Sequence, residues 1–194
     1  KLAKRYTGRT KIIACRKAYH GSTHGAMSLM GDESFKNAFR PLLPDIHFIR
    51  YNNLADLDSI DGHTAAVFVE TIQGEAGVIL PEKDYLRKIR EKCDQTGSLM
   101  ILDEIQTGFG RTGRLFAFEN FNAVPDVFTI AKGMGGGLPI GAVVAPRDVM
   151  AVFKTRPALG HITTFGGHPM SSATAYASLK TILEDNIMAH IPRK

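Results

Sequence analysis

The chain has 194 residues, 44% of them hydrophobic and 22% charged, a balance typical of a globular domain with one sizeable core. Its net charge of +5 arises from 24 basic and 19 acidic residues that are scattered along the sequence, so nucleic-acid binding is not expected. The longest apolar runs, such as 65–69 and 99–102, are far shorter than the roughly 20 residues of a membrane span, so no membrane partner is expected.

Short apolar runs alternate with helical patterns along the chain. Residues 1–6 resemble the end of a helix, because basic residues followed by Gly8 are typical of a helix C-terminus. Strands are expected at six apolar runs, namely 12–15, 47–51, 65–70, 99–103, 127–131 and 140–145. Helices are expected over 81–97, 147–154 and 170–186.

The helix expected over 81–97 lies between the third and fourth strands and makes a β-α-β crossover. The sequence therefore predicts the α/β class, with a mostly parallel sheet flanked by helices. No repeat or linker divides the chain, so we expect one domain over residues 1–194. Because the chain starts inside a helical pattern and shows no signal peptide, we expect an incomplete part of a larger cytoplasmic enzyme.

Three polar residues end predicted strands: Glu70, Asp103 and Lys132. Functional groups of α/β sheets gather at the carboxyl ends of parallel strands, although a polar strand end can also simply meet water. An acid and an amine placed there can hold the two ends of a pyridine cofactor, because the acid keeps the ring nitrogen protonated and the amine forms a Schiff base. This pair predicts pyridoxal 5′-phosphate (PLP) chemistry.

Two other patterns compete with that interpretation. Residues 108–113 match GxGxxG, but no helix is expected after them, so a dinucleotide site is disfavoured. His20 and His24 are four residues apart, but the intervening Gly-Ser-Thr disfavours a helix and no third ligand is evident, so no metal site is expected. Tyr19 and His20 instead offer aromatic faces for a flat ring beside a glycine.

The segment 102–113 (LDEIQTGFGRTG), followed by Asp126-Val127 and Ala131-Lys132-Gly133, resembles the class III aminotransferases of the ornithine, acetylornithine and omega-amino-acid group. The blocks 19–23, 70–77 and 164–167 resemble this family as well. The resemblance implies the large domain of a fold type I PLP-dependent transferase, without its small C-terminal domain.

The resemblance also implies roles for individual residues. Lys132 would carry the cofactor as a Schiff base and move the substrate proton, and Asp103 would pair with the pyridinium nitrogen. Gln106 would hydrogen-bond the phenolic oxygen of the ring. Tyr19, with His20 beside it, would bind the ring face. Their order along the chain matches the family motif.

Two further implied roles involve other parts of the enzyme. Thr164 would contact the cofactor phosphate of a neighbouring subunit, which implies a homodimer with a shared active site. Glu75, together with Glu70 in the same block, would form a substrate gate that pairs with an arginine of the C-terminal domain.

The sequence departs from the ornithine-like pattern at Ser22, where an arginine is typical. Serine cannot hold a substrate carboxylate in a bidentate ion pair. Arg40, Arg50 and Arg111 are left as candidates for that task, and the sequence does not choose among them.

The implied activity is transfer of an amino group from an amine or omega-amino acid to a 2-oxo acid by a ping-pong mechanism. Two alternatives stay open. One is a class III enzyme with another outcome, such as an aminomutase or a decarboxylase. The other is a fragment or scaffold without catalysis.

Overall fold

The computed structural model describes residues 1–191, so the last three residues of the expected domain lie outside the described part. Six strands form a single sheet: β1 (Lys11–Cys15), β2 (Ile46–Ile49), β3 (Thr64–Glu70), β4 (Leu99–Asp103), β5 (Val127–Ile130) and β6 (Ala142–Val144). Their spatial order is β2-β1-β3-β4-β5-β6. The first five strands are parallel and β6 runs antiparallel to β5. The predicted, mostly parallel sheet is confirmed.

The helices are α1 (Leu2–Thr7), α2 (His24–Ser28), α3 (Tyr85–Thr96), α4 (Arg147–Ala151) and α5 (Pro169–Glu184). Helix α3 is the predicted crossover between β3 and β4, and it ends where Gly97 adopts a left-handed conformation with φ of 65°. Glycine takes this conformation without a Cβ clash, so it terminates the helix as the sequence indicates.

Helices cover both faces of the sheet. On one face, α3 packs the buried Tyr85, Leu86 and Ile89 against alternate residues of the central strands, such as Val67 and Met100. The opposite face is covered by α1 and α4, whose buried residues pack against β3, β4 and β5. Each central strand is thus buried on both sides, as is typical of parallel sheets. The predicted sheet flanked by helices is confirmed, and the arrangement has three layers, α/β/α.

The sheet edge at β6 differs from the expectation. The sequence predicts a buried strand over 140–145, but β6 spans only Ala142–Val144 and its residues are partly or fully exposed. In the described part of the chain only β5 pairs with it, and Pro139 and Pro146 lie close to its two ends, where they cannot donate backbone hydrogen bonds to a ladder. Apolar composition alone does not distinguish such an edge from a central strand.

Helix boundaries shift by a few residues. Helix α3 begins at Tyr85, four residues after Pro81. The helix expected over 147–154 divides into α4 and a short 3-10 turn, Val152–Lys154. Across residues 1–191, no helix has the length and apolarity needed to cross a membrane.

Candidate active site

A pocket lies at the carboxyl ends of the central parallel strands. Its volume is about 90 Å³, smaller than the roughly 300–1,000 Å³ of pockets that hold a whole small molecule. All of the predicted site residues except Thr164 line it: Tyr19, His20, Glu70, Glu75, Asp103, Gln106 and Lys132. The sheet order produces this convergence, because β1, β3, β4 and β5 are adjacent and each is followed by a segment that contributes to the pocket.

Asp103, the last residue of β4, is held at the pocket by two donors. Its Oδ2 lies 2.8 Å from Nδ1 of His20, and its Oδ1 accepts a hydrogen bond of 3.1 Å from the N–H of Ile105. Both Asp103 and His20 are buried, and the His20 ring packs edge-on against Phe68 with centroids 4.5 Å apart. The sequence does not indicate that His20 contacts Asp103.

Glu70 lies directly beside Asp103, because the two residues are register partners at the ends of β3 and β4. Residues opposite each other on neighbouring strands point to the same face of a sheet. Burial, reinforced by the charge of Asp103, raises the pKa of the Glu70 carboxyl to about 7, although hydrogen bonds from the N–H groups of Gly74 and Tyr19 act in the opposite direction. Its Oε2 is buried and has no hydrogen-bond partner among residues 1–191.

Lys132 reaches the same pocket from a glycine-rich turn. Strand β5 ends at Ile130, and Lys132 begins a 3-10 turn with a positive φ of 45°. The side chain is exposed. The expectation that Lys132 ends a buried strand is therefore wrong. The strand stops two residues earlier, and the turn places Lys132 among the residues that line the pocket.

Gln106, Glu75 and Tyr19 form the rim of the pocket, and all three are exposed. Gln106 lies against Gly74, where a methyl group would overlap its side-chain oxygen. A glycine at position 74 therefore lets the flexible end of the Gln106 side chain lie against the loop that carries Glu75.

Thr164 is not part of this pocket. It lies in an exposed segment before α5. Ser22 lines an adjoining hollow together with Tyr19. Two of the arginine candidates are engaged elsewhere, since Arg40 and Arg50 form ion pairs with acidic residues near them in sequence.

Glu104 is a buried residue that sequence reasoning missed. It follows the last strand residue and is completely buried. Its carboxylate accepts hydrogen bonds from the backbone N–H groups of Ala117 and Phe118, at 2.9 and 3.0 Å. An acid directly after an apolar strand and before a glycine-rich loop is the signal that points to such a role. Sequence alone does not identify the donors, because they lie more than ten residues away.

The GxGxxG loop does not precede a dinucleotide-type helix. The segment after Gly113 leads into the short 3-10 turn Ala117–Asn120. Within residues 1–191, no group of three or more His, Cys, Asp or Glu residues is arranged to hold a metal ion.

The chain resembles known proteins along its whole length. It matches the aminotransferase class-III family over residues 1–194. The acetylornithine aminotransferase of Methanopyrus kandleri is 44% identical, with the alignment covering 100% of this chain and 49% of that protein. The LysW-aminoadipate semialdehyde/glutamate semialdehyde transaminase of Sulfolobus acidocaldarius is 42% identical, with coverage of 100% and 49%. The chain thus spans about half the length of the curated relatives it matches.

The fold is shared with solved aminotransferases. The ornithine aminotransferase of Toxoplasma gondii superposes with a TM-score of 0.90 at 35% identity, covering 96% of this chain and 46% of that one. A second structure of that enzyme shows partial occupancy of PLP at its active site. The prediction of the fold type I architecture is confirmed by this similarity. With a family match that covers every residue and a shared fold, the protein belongs to the class III aminotransferase family.

Proposed function

We propose that the protein is a PLP-dependent aminotransferase that moves an amino group from an amine or omega-amino acid to a 2-oxo acid by a ping-pong mechanism. The observation that carries this proposal is the convergence of Lys132, Asp103 and Gln106 on one pocket at the carboxyl edge of the sheet. The names of the relatives, which are acetylornithine, ornithine and semialdehyde aminotransferases, favour transamination over aminomutase or decarboxylase chemistry.

The side chains that line the pocket match the chemical groups on the ring of PLP. A basic ring nitrogen suits the buried acid Asp103, an aldehyde suits the amine of Lys132, and a phenolic oxygen suits the side-chain amide of Gln106. Tyr19 supplies an aromatic face at the rim. Lys132 is the one cation among the described residues that line the pocket. We propose that Thr164 of one subunit contributes to the phosphate site of the other.

Bound PLP supplies an electron-withdrawing ring that stabilises negative charge on the substrate carbon beside the nitrogen. The protein's task is to control the protons around that ring. Asp103 would hold a proton on the ring nitrogen, and His20 orients its carboxylate through the 2.8 Å contact. Lys132, which lines the pocket, would hold the cofactor covalently and move the substrate proton through its Nζ.

We propose that Glu75 and Glu70 control access of the substrate. Glu75 is exposed at the mouth, where it can pair with a cationic group and release it, whereas Glu70 is buried deeper beside Asp103. A homodimer with a shared active site and a cytoplasmic location complete the proposal. Light scattering of the purified chain tests whether it forms a dimer, and cell fractionation tests the cytoplasmic location.

The experiment that tests the function is to mix the full chain with PLP, record the absorption spectrum, reduce with borohydride and map the modified peptide. A new band that is trapped on Lys132 is expected, because a Schiff base becomes a stable secondary amine on reduction. Trapping on other lysines instead of Lys132 would contradict the assignment.

Two substitutions serve as matched controls. Lys132→Arg keeps the positive charge but cannot form the covalent bond, so the band is expected to disappear. Lys17→Arg makes the same change at a lysine of another hollow beside the pocket, which Tyr19 and Glu75 also line, and is expected to leave the band unchanged. Transamination is then tested by following amino transfer from ornithine or N-acetylornithine to 2-oxoglutarate in the complete enzyme.

A further inference from the structure

The buried carboxylate of Glu104 lies behind the pocket and accepts four hydrogen bonds. Its Oε1 accepts from the hydroxyl of Thr71 at 2.5 Å and from the N–H of Phe118 at 3.0 Å. Its Oε2 accepts from the hydroxyl of Thr107 at 2.7 Å and from the N–H of Ala117 at 2.9 Å. Four donors occupy the full acceptor capacity of an ionised carboxylate. The side chain is therefore held in one position from several sides.

Two of these donors are the immediate neighbours of pocket residues. Thr71 follows Glu70, and Thr107 follows Gln106. Glu70 and Gln106 line the pocket, whereas Glu104 does not. One carboxylate thus connects the segment after β3 to the segment after β4. Within residues 1–191 the sheet ladder itself does not make this connection, because the register of β3 and β4 ends at Glu70 and Asp103.

We propose that Glu104 is a positioning residue that clamps the segment 71–75 to the segment 104–107 and so sets the distance between two walls of the pocket. The clamp brings Gly74 and Gln106 into close approach on its pocket side. It also fixes the start of the 3-10 turn at Ala117, and with it the far end of the glycine-rich loop. The effect on PLP binding rests on the proposed function, whereas the clamp itself does not.

Glu104→Gln tests the clamp with little change of shape. The glutamine amide nitrogen replaces one carboxylate oxygen and faces two donors. A threonine hydroxyl can rotate to accept from it, but a backbone N–H cannot, so one buried N–H loses its partner. The matched control is Glu119→Gln. Glu119 is an exposed acid of the same loop that accepts the N–H of Phe116 at 2.8 Å and has no bond to the segment 71–75.

Hydrogen exchange of the full chain, followed by mass spectrometry, measures the coupling directly. In Glu104→Gln we expect faster exchange in both 71–79 and 104–118, with helix α3 as an unchanged internal reference. In Glu119→Gln we expect a change only near 116–119. If Glu104→Gln accelerates exchange in 104–118 but leaves 71–79 at the wild-type rate, the carboxylate does not clamp the two segments and the inference is wrong.

Thr71→Val provides a second, milder variant if Glu104→Gln fails to fold. It has nearly the same volume but lacks the hydroxyl that joins the segment 71–75 to Glu104. We expect faster exchange in 71–79 alone, with the N–H groups of Ala117 and Phe118 still protected. Wild-type exchange in 71–79 would show that the other contacts of this segment, such as the 2.8 Å bond from Tyr51 to the Thr71 carbonyl, suffice. That result would overturn the clamp.

The dissociation constant of PLP separates positioning from a purely structural role. Glu104→Gln and Thr71→Val are expected to bind PLP about 2- to 10-fold more weakly, the range that corresponds to loss of one hydrogen bond. Glu119→Gln is expected to bind as the wild type does. Unchanged affinity in the first two variants would overturn the positioning role. Failure of the wild type itself to bind PLP would contradict the proposed function, and the exchange measurement would still decide the clamp.

Discussion

Glu70→Gln is expected to stabilise the folded protein in a manner that depends on pH. Glu70 is a buried acid next to Asp103, and its carboxyl pKa rises from 4.5 to about 7 on folding. Glutamine has the same shape, accepts the same backbone hydrogen bonds and carries no charge. The substitution therefore removes the ionisation without removing the contacts.

The sign follows from the number of protons that each state binds. Between pH 4.5 and about 7 the folded chain keeps the Glu70 proton, whereas the unfolded chain loses it. The unfolded state binds fewer protons, so the contribution of Glu70 to the free energy of unfolding falls as the pH rises through this window and stays low above it. The rise of the pKa from 4.5 to about 7, at about 1.36 kcal/mol for each pH unit, sets an upper limit of about 3 kcal/mol. Water at the open pocket reduces the expected effect to about 1–2 kcal/mol.

The assay is urea denaturation of wild type and Glu70→Gln near pH 4.5 and near pH 8, extrapolated to water. The two proteins are expected to be similarly stable at the lower pH, whereas the variant is more stable at the higher pH. Glu82→Gln, the same change at an exposed acid that does not line the pocket, is the control and is expected to shift neither value. Equal stability of wild type and Glu70→Gln at both pH values would refute the argument that Glu70 is held in its protonated form.

Three further outcomes are expected. Gly74→Ala should displace Gln106, because the added methyl overlaps its side-chain oxygen, and weaken PLP binding measured by titration; unchanged affinity would contradict the fit proposed for that amide. Asp126→Ala should lower the free energy of unfolding by about 1.5–3 kcal/mol. The reason is that Oδ2 of Asp126 accepts hydrogen bonds from the side chain of Arg90 in α3 and from the backbone N–H of Met100 in β4. Cys15 and Cys93 should resist an aromatic disulfide reagent at pH 8 until the chain is denatured, because burial raises both thiol pKa values to about 12; fast reaction in the native protein would disprove their burial.

Much of the fold was predictable because its signals are local. The central strands are continuous apolar runs, and the spacing of Leu86, Ile89 and Cys93 identifies α3 as a helix with one buried face. The exposed edge at β6 was not predictable, since its apolar residues resemble those of a buried strand. Whether a strand has one neighbour or two depends on the complete sheet order, which no local window contains.

The candidate site was predictable at the level of residue identity and less so at the level of geometry. Asp103 and Glu70 were expected at strand ends, and both are there. The pairing of Glu70 with Asp103 across neighbouring strands, and the contact of His20 with Asp103, depend on the spatial order of β1, β3 and β4. The exposure of Lys132 depends on where β5 stops. The roles of these residues stay predictions until the cofactor experiments are done.

The pairing of Glu70 with Asp103 also predicts that PLP binding is coupled to proton release. Near pH 6, about one unit below its pKa, burial and the neighbouring Asp103 keep Glu70 largely protonated. A protonated ring nitrogen beside Asp103 would place a positive charge close to Glu70, which lowers the pKa of that carboxyl and expels its proton.

Calorimetric titration in buffers of different ionisation enthalpy counts the protons exchanged. Wild type should release more protons per PLP bound than Glu70→Gln, and Glu82→Gln should behave as wild type. Equal numbers of exchanged protons in wild type and Glu70→Gln would mean that the ring nitrogen lies elsewhere or that Glu70 is already ionised. The pH dependence of stability described above distinguishes these two explanations.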